Sequence, residues 1–179
     1  CNAIALEDSE VCIIPFGQLE GLPISQQISA ILPDTSVYAA TTQGLAIMEY
    51  AYFQTWTGLS TGGGLTSDIV KCLAPSDSGL FVGTESGLSM LRAGGYPGSP
   101  SSWVQYPEMD GRKLREFAWC ADTLWAATED GLYFLPPAGG SWMRDSSFSS
   151  GGALCLASDG TDLAAGSGWL ACVREDGVW

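Results

Sequence analysis

Three acidic residues recur at equivalent places in a repeated phrase of this 179-residue chain, where they could act as a catalytic pair. Glu85 follows a threonine in LFVGTESGLSML, and Glu129 and Asp130 follow a threonine in LWAATEDGLYFL. Glycosidases need two carboxyl groups only about 5 to 10 Å apart. If the repeated units face one mouth, these acids could supply such a pair. Part of a carbohydrate-active enzyme, a glycosidase or a lyase, is therefore one hypothesis.

A basic cluster of Arg112, Lys113 and Arg115 stands out in a chain with 20 acidic residues, 7 basic residues and a net charge of −13. It is either a solvated loop or a local contact for an anion or a carboxylate. The overall negative charge repels nucleic-acid phosphates and anionic membranes, so we expect no nucleic-acid partner. No apolar run approaches the ~18 to 20 residues of a membrane helix, so we expect no membrane insertion.

The other motifs predict no catalytic residue, metal or cofactor. The chain has no histidine, which excludes Ser/His/Asp and Cys/His centres and histidine-containing metal sites. Its six cysteines form no CxxC pair, which argues against zinc. Disulfides and buried thiols both remain open for the cysteines in strand patterns. The segment TGGGLTSD lacks a lysine after its glycines, so we interpret it as a connection between units.

The phrase that carries the acids occurs four times, and this repetition must position them. It begins at Val37, Leu80 and Leu124, and a shorter copy, LAAGSGWLACV, begins at Leu163. Aligned on the large residue of the first strand, the copies are spaced by 43, 44 and 38 residues, with the fourth lacking the threonine and one turn residue. That column contains Tyr38, Phe81, Trp125 and Leu163.

Each copy lies between two further strand-like segments, which gives four strands per unit. The apolar segments ISAIL, IVKCL, REFAWC and ALCLA precede the copies, and segments centred on Trp56, Trp103, Trp142 and Trp179 follow them. A period of about 40 to 45 residues with four strands is typical of a propeller blade. A column of small residues suits strands that converge on an axis: Ala40, Gly83, Ala127 and Ala165.

Turn residues support the same fold. A glycine after each turn predicts a positive φ in a hairpin, at Gly44, Gly87 and Gly131. An aspartate before each large-residue strand predicts a tight turn in which the side chain bonds its own backbone. These aspartates are Asp34, Asp77, Asp122 and Asp159. We predict an all-β propeller of four-stranded blades, with four blades and an N-terminal half blade.

The predicted units are a half blade over 1–20 and blades over 21–63, 64–110, 111–150 and 151–179. In the half blade, residues 2–6 resemble a third strand and residues 10–16 a fourth, without the first two strands. The inner edge of this half blade would have unpaired backbone groups, and an exposed edge of that kind recruits another strand. We expect residues of a longer chain or a neighbouring subunit to pair with it, and head-to-tail pairing of subunits could extend into a filament.

The repeat resembles the two-component-regulator propeller repeat of bacterial sensor ectodomains and many exported proteins. The resemblance is carried by GLTSDIVKCLAPSDSGLFVGTESGLSML, from Gly64 to Leu91, and by GLPISQQISAILPDTSVYAATTQGLAIM, from Gly21 to Met48. With the other two copies it extends to Trp179. It implies a propeller in an extracellular or periplasmic protein and carries over no catalytic residues. Cys1 also fits the lipid-anchored terminus of a bacterial lipoprotein, and a truncated chain explains it equally well.

The leading hypothesis is a non-catalytic extracytoplasmic binding, sensing or assembly module with a protein or glycan partner. Its recognition surface is predicted on the face that carries the turns at 41–44, 84–87, 128–131 and 166–168 and the connections at 58–68, 107–115 and 146–152. Loops on a rigid scaffold commonly carry binding. The candidate contacts are Gln43, Glu85, Glu129, Asp130, Arg112, Lys113 and Arg115. The glycosidase alternative requires two carboxylates that converge in an axial pocket.

Overall fold

The computed structural model describes residues 2–7, 10–15, 28–33, 36–49, 56–168, 170–174 and 179. Within these ranges the regular elements are β-strands and 3-10 turns of three residues, so the predicted all-β class is confirmed. None of the elements described there is a helix long and apolar enough to cross a membrane. The segment 16–27, which holds the predicted boundary between half blade and first blade, lies outside the described residues, as does Asp34.

The strands form five antiparallel sheets, each made of strands that are consecutive in the chain. The N-terminal hairpin consists of β1 (Asn2–Glu7) and β2 (Glu10–Pro15). Sheet A consists of β3 (Ile28–Pro33), β4 (Ser36–Thr41), β5 (Gly44–Glu49) and β6 (Trp56–Leu59). Sheet B consists of β7 (Val70–Ser76), β8 (Gly79–Thr84), β9 (Gly87–Arg92) and β10 (Trp103–Gln105). Sheet C consists of β11 (Leu114–Cys120), β12 (Thr123–Thr128), β13 (Gly131–Leu135) and β14 (Met143–Arg144). Sheet D consists of β15 (Cys155–Ser158), β16 (Leu163–Ser167) and β17 (Leu170–Arg174).

This arrangement matches the predicted blades in strand number for three of the four units. Sheets A, B and C have four strands, and the described part of sheet D has three, with Trp179 outside a strand. The strands predicted at 2–6 and 10–16 pair as a hairpin. The four sheets are therefore propeller-like blades, while the unit boundaries stay predictions.

The hydrophobic core lies between successive sheets. We call the face of a sheet that looks toward the next sheet its forward face, and the opposite face its rear face. Between sheets A and B, Leu45 packs with Val82. Between sheets B and C, Phe81 packs with Leu124, and Trp125 belongs to the cluster between sheets C and D. Burying a large apolar side chain stabilises the fold by roughly 1.5 to 3 kcal/mol, so these layers hold the sheets together.

The column of small residues has a local cause. Cys72 lies directly opposite Gly83, and a Cβ atom on Gly83 would lie 2.5 Å from Sγ of Cys72 and 2.9 Å from Cβ of Leu114 in sheet C. In sheet A the same pair of positions holds Ala30 and Ala40. The column is therefore small because a cross-strand partner and the next sheet both occupy the space beside it.

The register of sheet D corrects the alignment of the fourth copy. Leu156 pairs with Ala165 as Phe117 pairs with Ala126, which places Ala164, and not Leu163, in the column of large residues. No turn residue is missing, since Ser167 pairs with Leu170 as Thr128 pairs with Gly131. The alignment on Leu163 was wrong because this leucine is buried on the rear face, at the position of Leu124. The fourth turn thus lies between Ser167 and Leu170, and Gly166, not Ala165, stands in the column of small residues.

Two predictions about turn residues hold only in part. Gly44 and Gly87 have φ values of +121° and +141°, as predicted, but Gly131 lies outside the left-handed region. A Cβ atom on Gly131 would lie 2.9 Å from Nε of Arg144, an exposed and flexible side chain that can move aside. Asp159 bonds its own turn, and its Oδ1 accepts the amide of Asp162 at 2.8 Å. The hydrogen bonds from Asp162 and Thr161 lower the pKa of Asp159 to about 2.

Candidate functional site

The hairpin turn between the second and third strands of sheets A, B and C is fixed by a buried threonine. In sheet B, Oγ1 of Thr84 donates to the carbonyl of Gly87 at 2.9 Å and accepts the amide of Ser86 at 3.1 Å. Thr41 and Thr128 donate to the equivalent glycine carbonyls at 2.8 Å. All three threonines are buried. In sheets A and B the threonine also accepts the amide two residues later, so one side chain satisfies two backbone groups and holds the turn in place.

Backbone bonds join these turns to the connections that lead into the sheets. The amide of Gly111 donates to Ser86 of the preceding sheet at 3.0 Å, and the amide of Ala153 donates to Thr128 at 2.9 Å. The amide of Glu129 donates to the carbonyl of Lys113 at 3.2 Å. The turns and connections of sheets B to D thus come together at one end of the sheets, which we call the loop face.

A β-bulge near the start of the first strand directs one side chain in each of sheets A, B and C. The register shifts at Ser29, Lys71 and Arg115, leaving these residues unpaired in the ladder. A bulge re-aims the side chain that it carries. In sheet B, Nζ of Lys71 lies 3.0 Å from the carboxylate of Glu85, and in sheet C the guanidinium of Arg115 pairs with Glu129. Sheets B and C therefore repeat one ion pair between bulge and turn.

Arg112 is held by three groups of the loop face. Its Nε donates to the carbonyl of Glu108 at 3.0 Å, and its guanidinium pairs with Asp130. The same guanidinium lies 4.6 Å from the centre of the Tyr133 ring, within cation–π range. Burial, followed by the charge of Asp130, raises the pKa of the Tyr133 hydroxyl. Arg112 therefore ties the connection before sheet C to the turn of that sheet.

Lys113 is held less tightly than its neighbours. Its Nζ lies 3.5 Å from Glu129, a carboxylate that also pairs with Arg115. The Lys113 side chain is 51% exposed, against 30% for Arg112 and 39% for Arg115. Lys113 is thus the cation of this group that can most easily turn toward a partner.

Five of the chain's seven basic residues lie on the loop face of sheets B and C. We call them the basic loop-face cluster, and they are Lys71, Arg112, Lys113, Arg115 and Arg144. Arg144 belongs to this group because its Nη2 donates to the carbonyl of Asp130 at 2.9 Å. In a chain of net charge −13, five of the seven cations are thus gathered at one place, where they pair with Glu85, Glu129 and Asp130.

The structure brings most of the predicted contacts together. Glu129, Asp130, Arg112, Lys113 and Arg115 form one group at sheet C. Glu85 lies in the equivalent turn of sheet B, and Gln43 is exposed in the equivalent turn of sheet A.

Sequence reasoning missed Lys71, Tyr133 and Arg144. Only Lys71 had a signal in the sequence. It directly precedes CLA in the first strand of sheet B, as Arg115 directly precedes EFA in the first strand of sheet C. Each candidate acid is ion-paired with a cation: Glu85 with Lys71, and Glu129 and Asp130 with the cations of sheet C.

A cleft of about 400 Å³ lies at the opposite end of sheets A and B. Its lining includes Tyr38, Ile47, Leu80 and Arg92, and none of the predicted contacts. The four cysteines whose side chains the structure describes, Cys72, Cys120, Cys155 and Cys172, are free thiols. Within the described ranges, no group of three His, Cys, Asp or Glu side chains is placed to hold a metal ion.

The chain is similar in fold to several solved structures, while no protein-family model and no curated protein matches it. The extracellular domain of BT3049, a candidate hybrid two-component system of B. thetaiotaomicron, is 18% identical, with a TM-score of 0.65 over 95% of this chain. An ancestral GH74 enzyme is 18% identical, with a TM-score of 0.62 over 83% of this chain. This chain spans 23% of each of those two chains.

The computationally designed protein Ika4 is 15% identical, with a TM-score of 0.63 over 87% of this chain and 94% of Ika4. At such identities the likeness shows fold alone. The chain therefore shares a propeller-like, all-β fold with an extracellular domain of a two-component system, an enzyme and a designed protein.

Proposed function

We propose that this chain is a non-catalytic extracytoplasmic module for binding, sensing or assembly, which contacts a protein or glycan partner through the basic loop-face cluster. One observation carries the proposal: five of seven basic residues of an acidic chain gather beside hairpin turns that buried threonines hold in place. A preorganised site loses little conformational entropy when a partner binds.

The partner's complementary group is a carboxylate. Lys113 is half exposed and lies 3.5 Å from Glu129, so an incoming carboxylate can compete for its ammonium group. Arg115 can keep its pairing with Glu129 while Lys113 turns outward. An acidic protein segment and a glycan that contains uronic acids both present such carboxylates. Attraction by the cluster would raise the rate of encounter more than the final affinity.

The ion pairs favour binding over glycoside hydrolysis. A catalytic carboxyl group must reach the glycosidic bond, whereas contact with a lysine or arginine side chain holds a carboxylate in place. Glu85, Glu129 and Asp130 all have such contacts. The alternative function, part of a carbohydrate-active enzyme, is motivated by the similarity in fold to the GH74 enzyme. Extracytoplasmic location is motivated by the similarity to an extracellular domain.

A charge-reversal pair tests the binding function. Lys113→Glu reverses a charge on the loop face, and the matched control Arg92→Glu reverses one at the far end of β9. Binding to poly-glutamate peptides and to oligogalacturonate is measured by isothermal titration calorimetry. We expect Lys113→Glu to weaken binding of one probe at least about tenfold, a loss of ~1.4 kcal/mol, and Arg92→Glu to leave it unchanged.

Equal effects of the two substitutions, or no binding of either probe, would overturn the assignment of the loop face. The enzyme alternative makes a different prediction. It requires release of reducing ends from a polysaccharide, together with loss of that activity in Glu129→Gln or Asp130→Asn.

A further inference from the structure

A tryptophan side chain lies between sheets B and C at the end opposite the loop face. Trp119 pairs with Leu124, a residue of the cluster between these sheets, so the Trp119 side chain lies on the rear face of sheet C. Its indole Nε1 donates to the carbonyl of Pro75 in sheet B at 2.9 Å. Trp119 therefore spans the gap between the two sheets, and only 39% of it is exposed.

The interface between sheets A and B lacks this tryptophan. The residue that corresponds to Trp119 in sheet B is Pro75, since Pro75 pairs with Leu80 as Trp119 pairs with Leu124. Proline is smaller than tryptophan, and its ring carries no hydrogen-bond donor. Pro75 and Leu80 both line the cleft of about 400 Å³ between sheets A and B. The cleft therefore lies where an indole ring lies in the next interface.

The walls of this cleft suit a flat aromatic ring. Tyr38 and Ile47 line it from the forward face of sheet A, and aromatic rings pack favourably against one another. Arg92 lines it from the end of β9, where its Nη1 donates to the carbonyl of Ser101 at 3.1 Å. A guanidinium group held in this way can lie over the face of a ring. The volume of the cleft is within the range of about 300 to 1,000 Å³ that is typical of small-molecule sites.

The register of the sheets also indicates a hydrogen-bond acceptor. Pro33 in sheet A corresponds to Pro75 in sheet B, because Pro33 pairs with Val37 as Pro75 pairs with Leu80. Trp119 donates to the carbonyl of Pro75. A ring N–H group in the cleft between sheets A and B would therefore meet the carbonyl of Pro33.

We propose that the cleft between sheets A and B binds a small planar aromatic molecule that carries a ring N–H group, of which indole is the simplest example. The ring takes the place that Trp119 takes between sheets B and C, and its N–H group donates to the carbonyl of Pro33. The site lies at the opposite end of the sheets from the basic loop-face cluster and is independent of the proposed function. Poly-glutamate and oligogalacturonate have no aromatic ring, so they are not ligands of this cleft.

Titration of ¹⁵N-labelled protein with indole, followed by NMR of the backbone amides, tests the site. Gly94 and Gly95 line the cleft, so their amide signals should move. The signals of Glu129 and Asp130 on the loop face should stay in place. We expect a dissociation constant of about 1 mM or lower for a ligand of this size.

Benzofuran tests the hydrogen bond. It has the shape of indole with an oxygen atom in place of the N–H group, so it cannot donate to the carbonyl of Pro33. We expect benzofuran to bind about 3- to 10-fold more weakly than indole, as for the loss of one hydrogen bond.

Two substitutions of Pro75 form a matched pair. Pro75→Trp introduces the side chain that sheet C has at this position, and it should weaken indole binding at least about tenfold by filling the cleft. Pro75→Ala removes the proline without filling the cleft, and its affinity for indole should stay within about twofold of wild type. Circular dichroism melts establish that both variants are folded. If Pro75→Trp is not, the wild-type signals of Gly94 and Gly95 still decide.

Three results would overturn the proposal. One is that the signals of Gly94 and Gly95 do not move at about 5 mM indole, several times the expected dissociation constant. Another is that folded Pro75→Trp binds indole as tightly as Pro75→Ala. The third is that benzofuran binds as tightly as indole, which would remove the N–H group from the assignment.

Discussion

Lys71 at the bulge of β7 and Glu85 in the turn after β8 are joined by an ion pair of 3.0 Å, although 14 positions separate them in the chain. Their side chains are 26% and 35% exposed, so solvent screens the pair in part. A double-mutant cycle with Lys71→Ala and Glu85→Ala, measured by urea unfolding, should give a coupling of ~0.3 to 1 kcal/mol that shrinks in 1 M NaCl. A coupling energy that does not change with the salt concentration would contradict a charge interaction.

Replacing Thr84 by valine should destabilise the chain by about 1 to 3 kcal/mol. Valine keeps the shape but leaves the amide of Ser86 and the carbonyl of Gly87 without their buried partner. Thr84→Ser keeps the hydroxyl group and is the control, with a loss of less than about 1 kcal/mol expected from the missing methyl group. Chemical denaturation measures both variants. Equal losses would show that packing of the methyl group, and not the hydrogen bonds, holds the turn.

Gly83→Ala should destabilise the interface between sheets B and C, because the new methyl group would lie 2.5 Å from Sγ of Cys72. We expect a loss of about 1 to 3 kcal/mol, as for other overpacked cores. Adding Cys72→Ala restores the Ala–Ala pair of sheet A and should recover part of the loss, with Leu114 accounting for the rest. Thermal unfolding of the single and double variants measures this. No recovery in the double variant would contradict the cross-strand explanation.

Asp145 should make stability depend on acid pH. Burial opposes its ionisation, but hydrogen bonds from Ser147 and Trp179 and the charge of Arg174 outweigh burial and lower its pKa below 3.8. A lowered folded-state pKa stabilises the fold fully above the unfolded value, and this contribution is lost as the pH falls from ~4 through the folded value.

Asp145→Asn is the test of that pH dependence. At pH 7 we expect it to cost roughly 1 to 3 kcal/mol, since hydrogen bonds to a charged group are lost. Between pH 5 and pH 2.5 its stability should fall less than that of wild type. Urea unfolding followed by tryptophan fluorescence measures the difference. Parallel pH curves for the two proteins would show that other groups govern the acid response.

Local patterns predicted most of the fold. Alternating apolar residues, tight turns and a regular period lie within about 45 residues of one another, so the sequence alone indicates the strand order of sheets A, B and C. The fourth copy of the repeat was misaligned because apolar character does not distinguish the two faces of a strand that is buried on one side. Only its pairing shows that Leu163 belongs to the rear face.

The candidate site was predicted in composition but not in its contacts. A bulge adds one unpaired residue and changes which side chains point together, and no residue type marks it. The alignment of Lys71 with Arg115 was a signal in the sequence, but the pairing of Lys71 with Glu85 could not be predicted from it. The contacts of Arg112 could not be predicted either, because they depend on a 3-10 turn at Pro107–Met109. This turn brings the carbonyl of Glu108 to the guanidinium of Arg112. Contacts of this kind depend on three-dimensional placement of loops.

Backbone hydrogen bonds join the connections before sheets C and D to the turns of the preceding sheets, and these bonds affect how the sequence can change in evolution. The amide of Gly111 reaches the carbonyl of Ser86, and the amide of Ala153 reaches that of Thr128, without help from any side chain. Mutation can therefore change the outward-facing residues of these loops while the fastening persists. Descendants of one ancestral repeat could acquire new specificities by exchanging those residues alone, at little risk to folding.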